Sequence, residues 1–167
     1  MGFHKGLTET ATPANGSGLK VLVVRTRWNT EIVDSLAAAT IAKLQKLNVA
    51  ATDIDVHYVS GAFELPFATN ALLTKEKGRY DVAISIGVLI KGDTMHFEYI
   101  ADASTQGLMR VGLDTGLPVI FGVLTCLTEE QALLRAGIGG PDKKSGHNHG
   151  EDWGSAAVEM ALLNKLP

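Results

Sequence analysis

Two runs, Leu19-Lys20-Val21-Leu22-Val23-Val24 and Val82-Ala83-Ile84-Ser85-Ile86-Gly87-Val88, constrain the fold of this 167-residue chain more than any other feature. A strand with one wet face alternates apolar and polar side chains. These runs are too apolar for that, so both faces of each must be covered. Double coverage is the mark of a parallel sheet with helices packed on either side.

The intervening sequence supplies the helices. Ile32, Val33, Leu36, Ala39, Thr40, Lys43, Leu44 and Leu47 recur at helical spacing and predict a helix from about 29 to 47. Ile54 to Val59 reads as a second strand, and Pro66 suits the first turn of a helix running to about Lys77. A helix from about Phe97 to Thr115 follows the Val82–Val88 strand, and Pro118 to Leu124 forms a fourth strand. Thr128 and Gln131 fit a capping box that opens a short helix to Ala136. Gly137 to Gly150 is a Gly- and His-rich loop, and a last helix runs from about Asp152 to Leu163.

Residues 1–18 show no periodicity and read as an extended N-terminal arm, leaving 19–167 as one α/β domain. Four parallel strands joined by right-handed crossovers give a flavodoxin-like three-layer sandwich with sheet order 2-1-3-4. In such sheets ligands bind beyond the carboxyl ends of the strands. The positions there are Arg25 to Asn29, Ser60 to Glu64, Gly87 to His96 and Leu124 to Thr128.

Charge and composition remove several function classes. A net charge of -3 offers no electrostatic footprint for nucleic acid. No apolar run reaches the roughly 18 residues of a membrane span, and Gly6 stands where a myristoylation signal needs Ser or Thr. No secretory signal is legible. A single cysteine, Cys126, excludes an internal disulfide and any multi-cysteine metal site, and it suits a reduced, cytoplasmic location.

The stretch from Gly87 to Tyr99 carries the strongest chemical signal. Gly87-x4-Gly92-Asp93-Thr94 nearly matches a phosphate-binding loop, but Asp93 occupies the position of the lysine that reaches the terminal phosphates. A nucleotide triphosphatase is therefore disfavoured. What survives is a glycine, free amides and a hydroxyl beside a helix start, fit either for an anion or for an ordinary β-to-α turn. His96, at the head of that helix, is either a proton shuttle or a structural histidine. Trp28 could stack on a flat heterocycle or fill core, while Glu64 reads from spacing alone as a helix cap. Arg135 could offset a helix dipole or grip a phosphate, and His147 and His149 lack an obvious third metal ligand.

Six ordered strings resemble the lumazine synthase family of riboflavin biosynthesis, specifically its fungal form. They are Arg27-Trp28-Asn29, Gly61-Ala62-Phe63-Glu64-Leu65-Pro66, Pro118-Val119-Ile120-Phe121-Gly122-Val123-Leu124-Thr125, Glu129-Glu130-Gln131-Ala132, Arg135-Ala136-Gly137 and His147-Asn148-His149-Gly150-Glu151-Asp152-Trp153-Gly154. Together with the Gly87–Tyr99 segment, the similarity spans about residues 19 to 163. It implies condensation of 5-amino-6-ribitylamino-2,4-pyrimidinedione with 3,4-dihydroxy-2-butanone 4-phosphate, with no metal or organic cofactor. A Schiff base forms, phosphate is eliminated, and the ring closes with loss of water.

The resemblance also implies roles. Trp28 would stack on the pyrimidine, while Ala62, Phe63 and Glu64 hold the ribityl chain. Val88, Leu89 and Ile90 would line the ring pocket, and Gly92, Asp93 and Thr94 would bind the phosphate. His96 would move protons, with Asp152 orienting or charge-stabilising it. Phe121, Arg135 and His149 would come from a neighbouring subunit, Arg135 clamping the phosphate. The implied assembly is a homopentamer with shared sites and the N-terminal arm laid on a neighbour. The insert Gly140-Pro141-Asp142-Lys143-Lys144 would obstruct packing of pentamers into a shell. Asp93 departs from the usual Ser and sets a charge beside the phosphate, and Lys91 replaces an arginine common in bacterial members. A lumazine- or flavin-binding module and a flavodoxin-like electron carrier are the competing readings, because fold class alone does not separate them.

Overall fold

The structure, a computed structural model, describes residues 14–167. Most of the expected N-terminal arm, residues 1–13, lies outside the described residues. Its last part is docked: the Gly16 N–H donates to Leu47 O at 2.6 Å, and Ala14 packs against the core.

The chain alternates β1 (Val21–Thr26), α1 (Thr30–Lys46), β2 (Ile54–Val59), α2 (Leu65–Lys75), β3 (Val82–Ile90), α3 (His96–Thr115), β4 (Val119–Cys126), α4 (Glu129–Arg135) and α5 (His149–Asn164). All three strand pairings are parallel and the order is β2-β1-β3-β4, as the sequence predicts. The central strands β1 and β3 are buried along nearly their whole length, which explains why they do not alternate.

Successive side chains of these strands point into two different cores. Val21, Val23, Ile84, Ile86 and Val88 pack with α1, α4 and α5 through Val33, Leu36, Ala132 and Val158. Leu22, Val24, Ala83 and Val123 pack on the other side with α2 and α3 through Leu65, Leu73 and Leu108. The sheet therefore divides the molecule into an α1/α4/α5 layer and an α2/α3 layer.

Helix ends follow the local chemistry. The Thr128 hydroxyl accepts from the Gln131 N–H at 3.2 Å, while the Gln131 side chain accepts from the Leu127 N–H at 2.9 Å. This is the expected box with its return bond shifted by one residue. The last helix begins at His149, three residues earlier than predicted, because Asn148 is its N-cap and accepts from the Gly150 N–H at 2.9 Å. No helix among the described residues is long and apolar enough to cross a membrane.

Close approach of α1 and α5 depends on two glycines on one face of α5. A Cβ on Gly150 would run into the Leu36 carbonyl, and one on Gly154 would lie 2.8 Å from Lys43 Cβ and 3.0 Å from the Thr40 carbonyl oxygen. Ala favours a helix interior over Gly by about 1 kcal/mol, whereas overpacking costs about 1–3 kcal/mol. Gly154→Ala is thus expected to destabilise the protein by up to about 2 kcal/mol in urea denaturation at fixed protein concentration. A gain in stability would show that the two helices have room to part.

Candidate active site

Three strand ends meet above the sheet and enclose a cavity of about 650 Å³. Its walls are Trp28 and Asn29 after β1, Ser60 to Glu64 after β2, Val88 to Ile90 at the end of β3, and His96 and Ile100 on α3. Eight of the residues singled out from sequence thus meet in one place: Trp28, Ala62, Phe63, Glu64, Val88, Leu89, Ile90 and His96.

The β1–α1 turn is held so that its indole stands free. Arg27 N–H donates to Val59 O at 2.9 Å, which pins the turn to the end of β2. Asn29 takes a left-handed backbone, with φ 55°, and its side-chain amide donates to Val88 O at 3.2 Å. Asparagine is among the few non-glycine residues that tolerate this conformation. Trp28 is left 73% exposed, far too open for a core residue, and a Cβ on Gly61 would lie 3.5 Å from its Cδ1. Phe63 across the cavity is 59% exposed. Two aromatic planes turned toward solvent at a strand-end cavity form a surface for a flat, apolar-faced ligand.

Glu64 satisfies its capping role, since its Oε2 accepts from the Gly61 N–H at 2.9 Å. That bond commits one carboxylate oxygen and leaves the other as an acceptor. Behind it, Ser104 Oγ donates to the Ala62 carbonyl at 3.1 Å and fixes this wall against α3.

Gly92, Asp93 and Thr94 are exposed and join two cavity-lining residues, Ile90 and His96. The Thr94 hydroxyl accepts a long bond, 3.4 Å, from the His96 N–H at the head of α3. Gly92 has neither a left-handed φ nor any neighbour within 4 Å of where its Cβ would be. Nothing within the chain requires a glycine there. Lys91 is ion-paired with Glu98 and its Nζ lies 5.7 Å from the Phe97 ring centroid, so its charge is already engaged.

Phe121, Arg135, His149 and Asp152 do not line the cavity. Phe121 lies on β4, opposite Ser85, and is 37% exposed at the sheet edge. Arg135 ends α4, donating to Gln131 O at 3.2 Å, while His149 and Asp152 sit in the first turn of α5. These last three belong to the α1/α4/α5 layer, whereas His96 belongs to α3 on the other side of the sheet. Within the chain Asp152 hydrogen-bonds His147 and its Oδ2 lies 3.2 Å from His149 Nδ1. His96 is not among its partners.

The second cluster is stitched together by Asn148, a residue with no role assigned from sequence. Its amide donates to Ala136 O at 2.8 Å and to Ser35 Oγ at 3.1 Å, so it ties the end of α4 to the start of α5 and to α1. Gly137, with φ +68°, makes the turn beside it. Arg135 and His149 become neighbours in consequence. Burial lowers the His149 pKa, His147 and Arg135 push it the same way, and Asp152 opposes them. Among the described residues no group of three His, Cys, Asp or Glu side chains is arranged for a metal ion.

Sequence reasoning left Ile100 out of the site, although it lies one helical turn beyond His96 and shares its face. Asn29, Ser60 and Gly61 were legible as strand-end positions but carried no assigned role.

Residues 18–165 match the family model for 6,7-dimethyl-8-ribityllumazine synthase. A protein of that name from Schizosaccharomyces pombe is 51% identical over 148 residues, covering 88% of this chain and 89% of the relative. Another from Pyricularia oryzae is 44% identical with 95% of each chain covered, and one from Azoarcus is 36% identical with 99% of each covered. With two fungal relatives at that level and the family match spanning nearly the whole chain, this protein belongs to the 6,7-dimethyl-8-ribityllumazine synthase family.

Proposed function

We propose that this chain condenses 5-amino-6-ribitylamino-2,4-pyrimidinedione with 3,4-dihydroxy-2-butanone 4-phosphate, releasing phosphate and water, with no metal or organic cofactor. The observation that carries this reading is that an exposed indole and an imidazole, Trp28 and His96, line one cavity at the strand ends. The pyrimidine stacks on Trp28 and its ribityl hydroxyls lie against Ala62, Phe63 and the uncommitted oxygen of Glu64. Val88, Leu89 and Ile90 meet the ring edge.

The phosphate sits at Gly92, Asp93 and Thr94. The unfilled space around Gly92 supports this, because a glycine that its own chain does not need leaves room for a ligand to reach the backbone amides. Lys91 is spoken for by Glu98, so the balancing cation must come from elsewhere. Arg135 of an adjacent subunit supplies it, joined by His149 and Asp152, and Phe121 of that subunit covers the pyrimidine. The separation of His96 from Arg135 by the sheet supports this division.

Catalysis then rests on holding two substrates in register and on proton transfer. The substrate amine attacks the ketone and one water leaves as the Schiff base forms. His96 then moves the protons that accompany phosphate elimination and ring closure, in which the second nitrogen attacks the remaining carbonyl and a second water leaves. Asp152 acts as the charged group near that event.

Shared sites require an oligomer, which we take to be a cytoplasmic homopentamer. Large exposed apolar side chains support association, among them Leu113 at 75% and Phe67 at 80%. The 140–144 insert does not extend freely: Gly139 and Ser145 pair across its base, and Lys143 bonds Glu31 of α1 at 2.7 Å. A folded, charged projection of this kind supports an isolated pentamer over a closed shell.

Mixing both substrates with the protein is expected to give lumazine absorbance and free phosphate together; neither signal above the uncatalysed rate would sink the enzyme reading. His96→Ala is expected to lower kcat by about 10²-fold, with residual turnover from proximity. Arg135→Ala should raise KM for the phosphorylated substrate by about 10- to 100-fold, the worth of a charged hydrogen bond, and leave KM for the pyrimidine near its original value. An exposed Asp93 carboxylate is screened, so Asp93→Ser should change that KM by no more than about twofold. A tenfold fall would mean that the carboxylate faces the phosphate. Light scattering is expected to give five times the 17.7 kDa chain mass, and a megadalton particle would overturn the pentamer.

A further inference from the structure

His147 is absorbed by none of the roles above, yet it is half of a built arrangement. Its Nε2 lies 2.8 Å from Asp152 Oδ2, and the same oxygen lies 3.2 Å from His149 Nδ1. The two rings meet edge to face, with centroids 5.3 Å apart and an interplanar angle of 75°. Two imidazoles thus converge on one carboxylate oxygen from a loop and a helix start whose backbone is fixed by Asn148.

We propose that His147 is a positioning residue that acts through Asp152 to fix the tautomer and orientation of His149. The inference rests on the reading that His149 faces the phosphorylated substrate. An ionised carboxylate only accepts hydrogen bonds, so the His147 nitrogen bonded to Asp152 Oδ2 carries its hydrogen, and the 3.2 Å approach of His149 Nδ1 to the same oxygen favours a hydrogen there as well. His149 is thereby held as the Nδ1–H tautomer. Its other nitrogen, Nε2, is turned away from Asp152 with a free lone pair. Taking one proton from solvent there makes His149 a cation whose Nε2–H can donate to a phosphate oxygen.

Asp152 alone would hold this geometry poorly. Its side chain is 54% exposed and can turn toward water, so the 3.2 Å contact with His149 alone leaves it a choice of rotamers. The second N–H, from His147, settles that choice by requiring the carboxylate to stand between the rings. His147 is the outer partner that orients the inner one, as outer hydrogen bonds fix ligand histidines at metal sites. The groups facing His149 are therefore Asp152, His147 and Arg135, one anion and two groups that disfavour its cation. Burial, the largest influence, likewise favours the neutral ring, and an anion shared with Arg135 would favour the cation.

The test uses the full-length assembled protein with 15N-labelled histidine, and His149→Asn identifies the signals. The unaltered protein should show the Nδ1–H signature at His149. His147→Ala should move His149 toward the Nε2–H tautomer that free imidazoles prefer. It should also raise KM for butanone phosphate by about fivefold, the worth of an ordinary hydrogen bond, while kcat stays within about twofold. His147→Gln, which keeps an N–H donor, should restore both. His147 is itself 48% exposed, so its removal opens no core cavity.

An Nε2–H signature in the unaltered protein overturns the proposal. So does an unmoved signature in His147→Ala, a failure of Gln to rescue, or a tautomer shift with unchanged KM. The tautomer readout needs no substrate. Absence of lumazine formation with the expected signatures would therefore defeat the proposed reaction and leave the positioning of His149 standing.

Discussion

Burial of β1 and β3 on both faces is the constraint on which the rest of the structure depends. With side chains pointing alternately into two cores, these strands demand a helical layer on each side. The sheet then becomes a wall. Whatever chemistry the carboxyl ends of the strands support is assembled above it, and groups on opposite layers stay apart unless another molecule brings them together. The division of the candidate site into a cavity on one side and a cation–histidine cluster on the other follows directly from that wall.

Each half is built by short-range devices that the wall positions. On the cavity side, a left-handed Asn29 and a bond from Arg27 to Val59 present Trp28 to solvent. Glu64 caps its own short helical turn and still keeps an oxygen in reserve. On the other side, the Asn148 side chain makes four hydrogen bonds that tie α1, the end of α4 and the start of α5 together. Neither half is complete as a binding site for a phosphorylated molecule. One has a histidine and open amides with Lys91 tied to Glu98, and the other has a cation and histidines that do not line the strand-end cavity.

Much of this was legible in the sequence because it is local. Strand positions follow from uninterrupted apolar runs, α1 from its 3.6-residue spacing, and α4 from Thr128 and Gln131. Strand-end residues such as Trp28 and His96 were identifiable as crevice candidates because the topology leaves few choices. Asn148 was not, since its partners Ser35 and Ala136 are distant in sequence and no local pattern announces them. The early start of α5 has a different cause: its cap, Asn148, bonds only two residues ahead but sits inside a Gly- and His-rich stretch that reads as a loop.

Sequence alone therefore determined the class of fold, the sheet order and the family resemblance, since burial of a strand and capping of a helix are written in neighbouring residues. Spacing reads Glu64 as a helix cap and the resemblance gives it the ribityl chain; the structure shows the cap through one oxygen, with the other not bonded among the described residues. Tertiary structure alone decided that Asn148 joins Ser35 of α1 to the end of α4, and that Arg135 and His96 lie on opposite sides of the sheet. Those facts depend on which layer each helix packs against. Packing across a sheet joins residues far apart in the chain, so no stretch of sequence contains them.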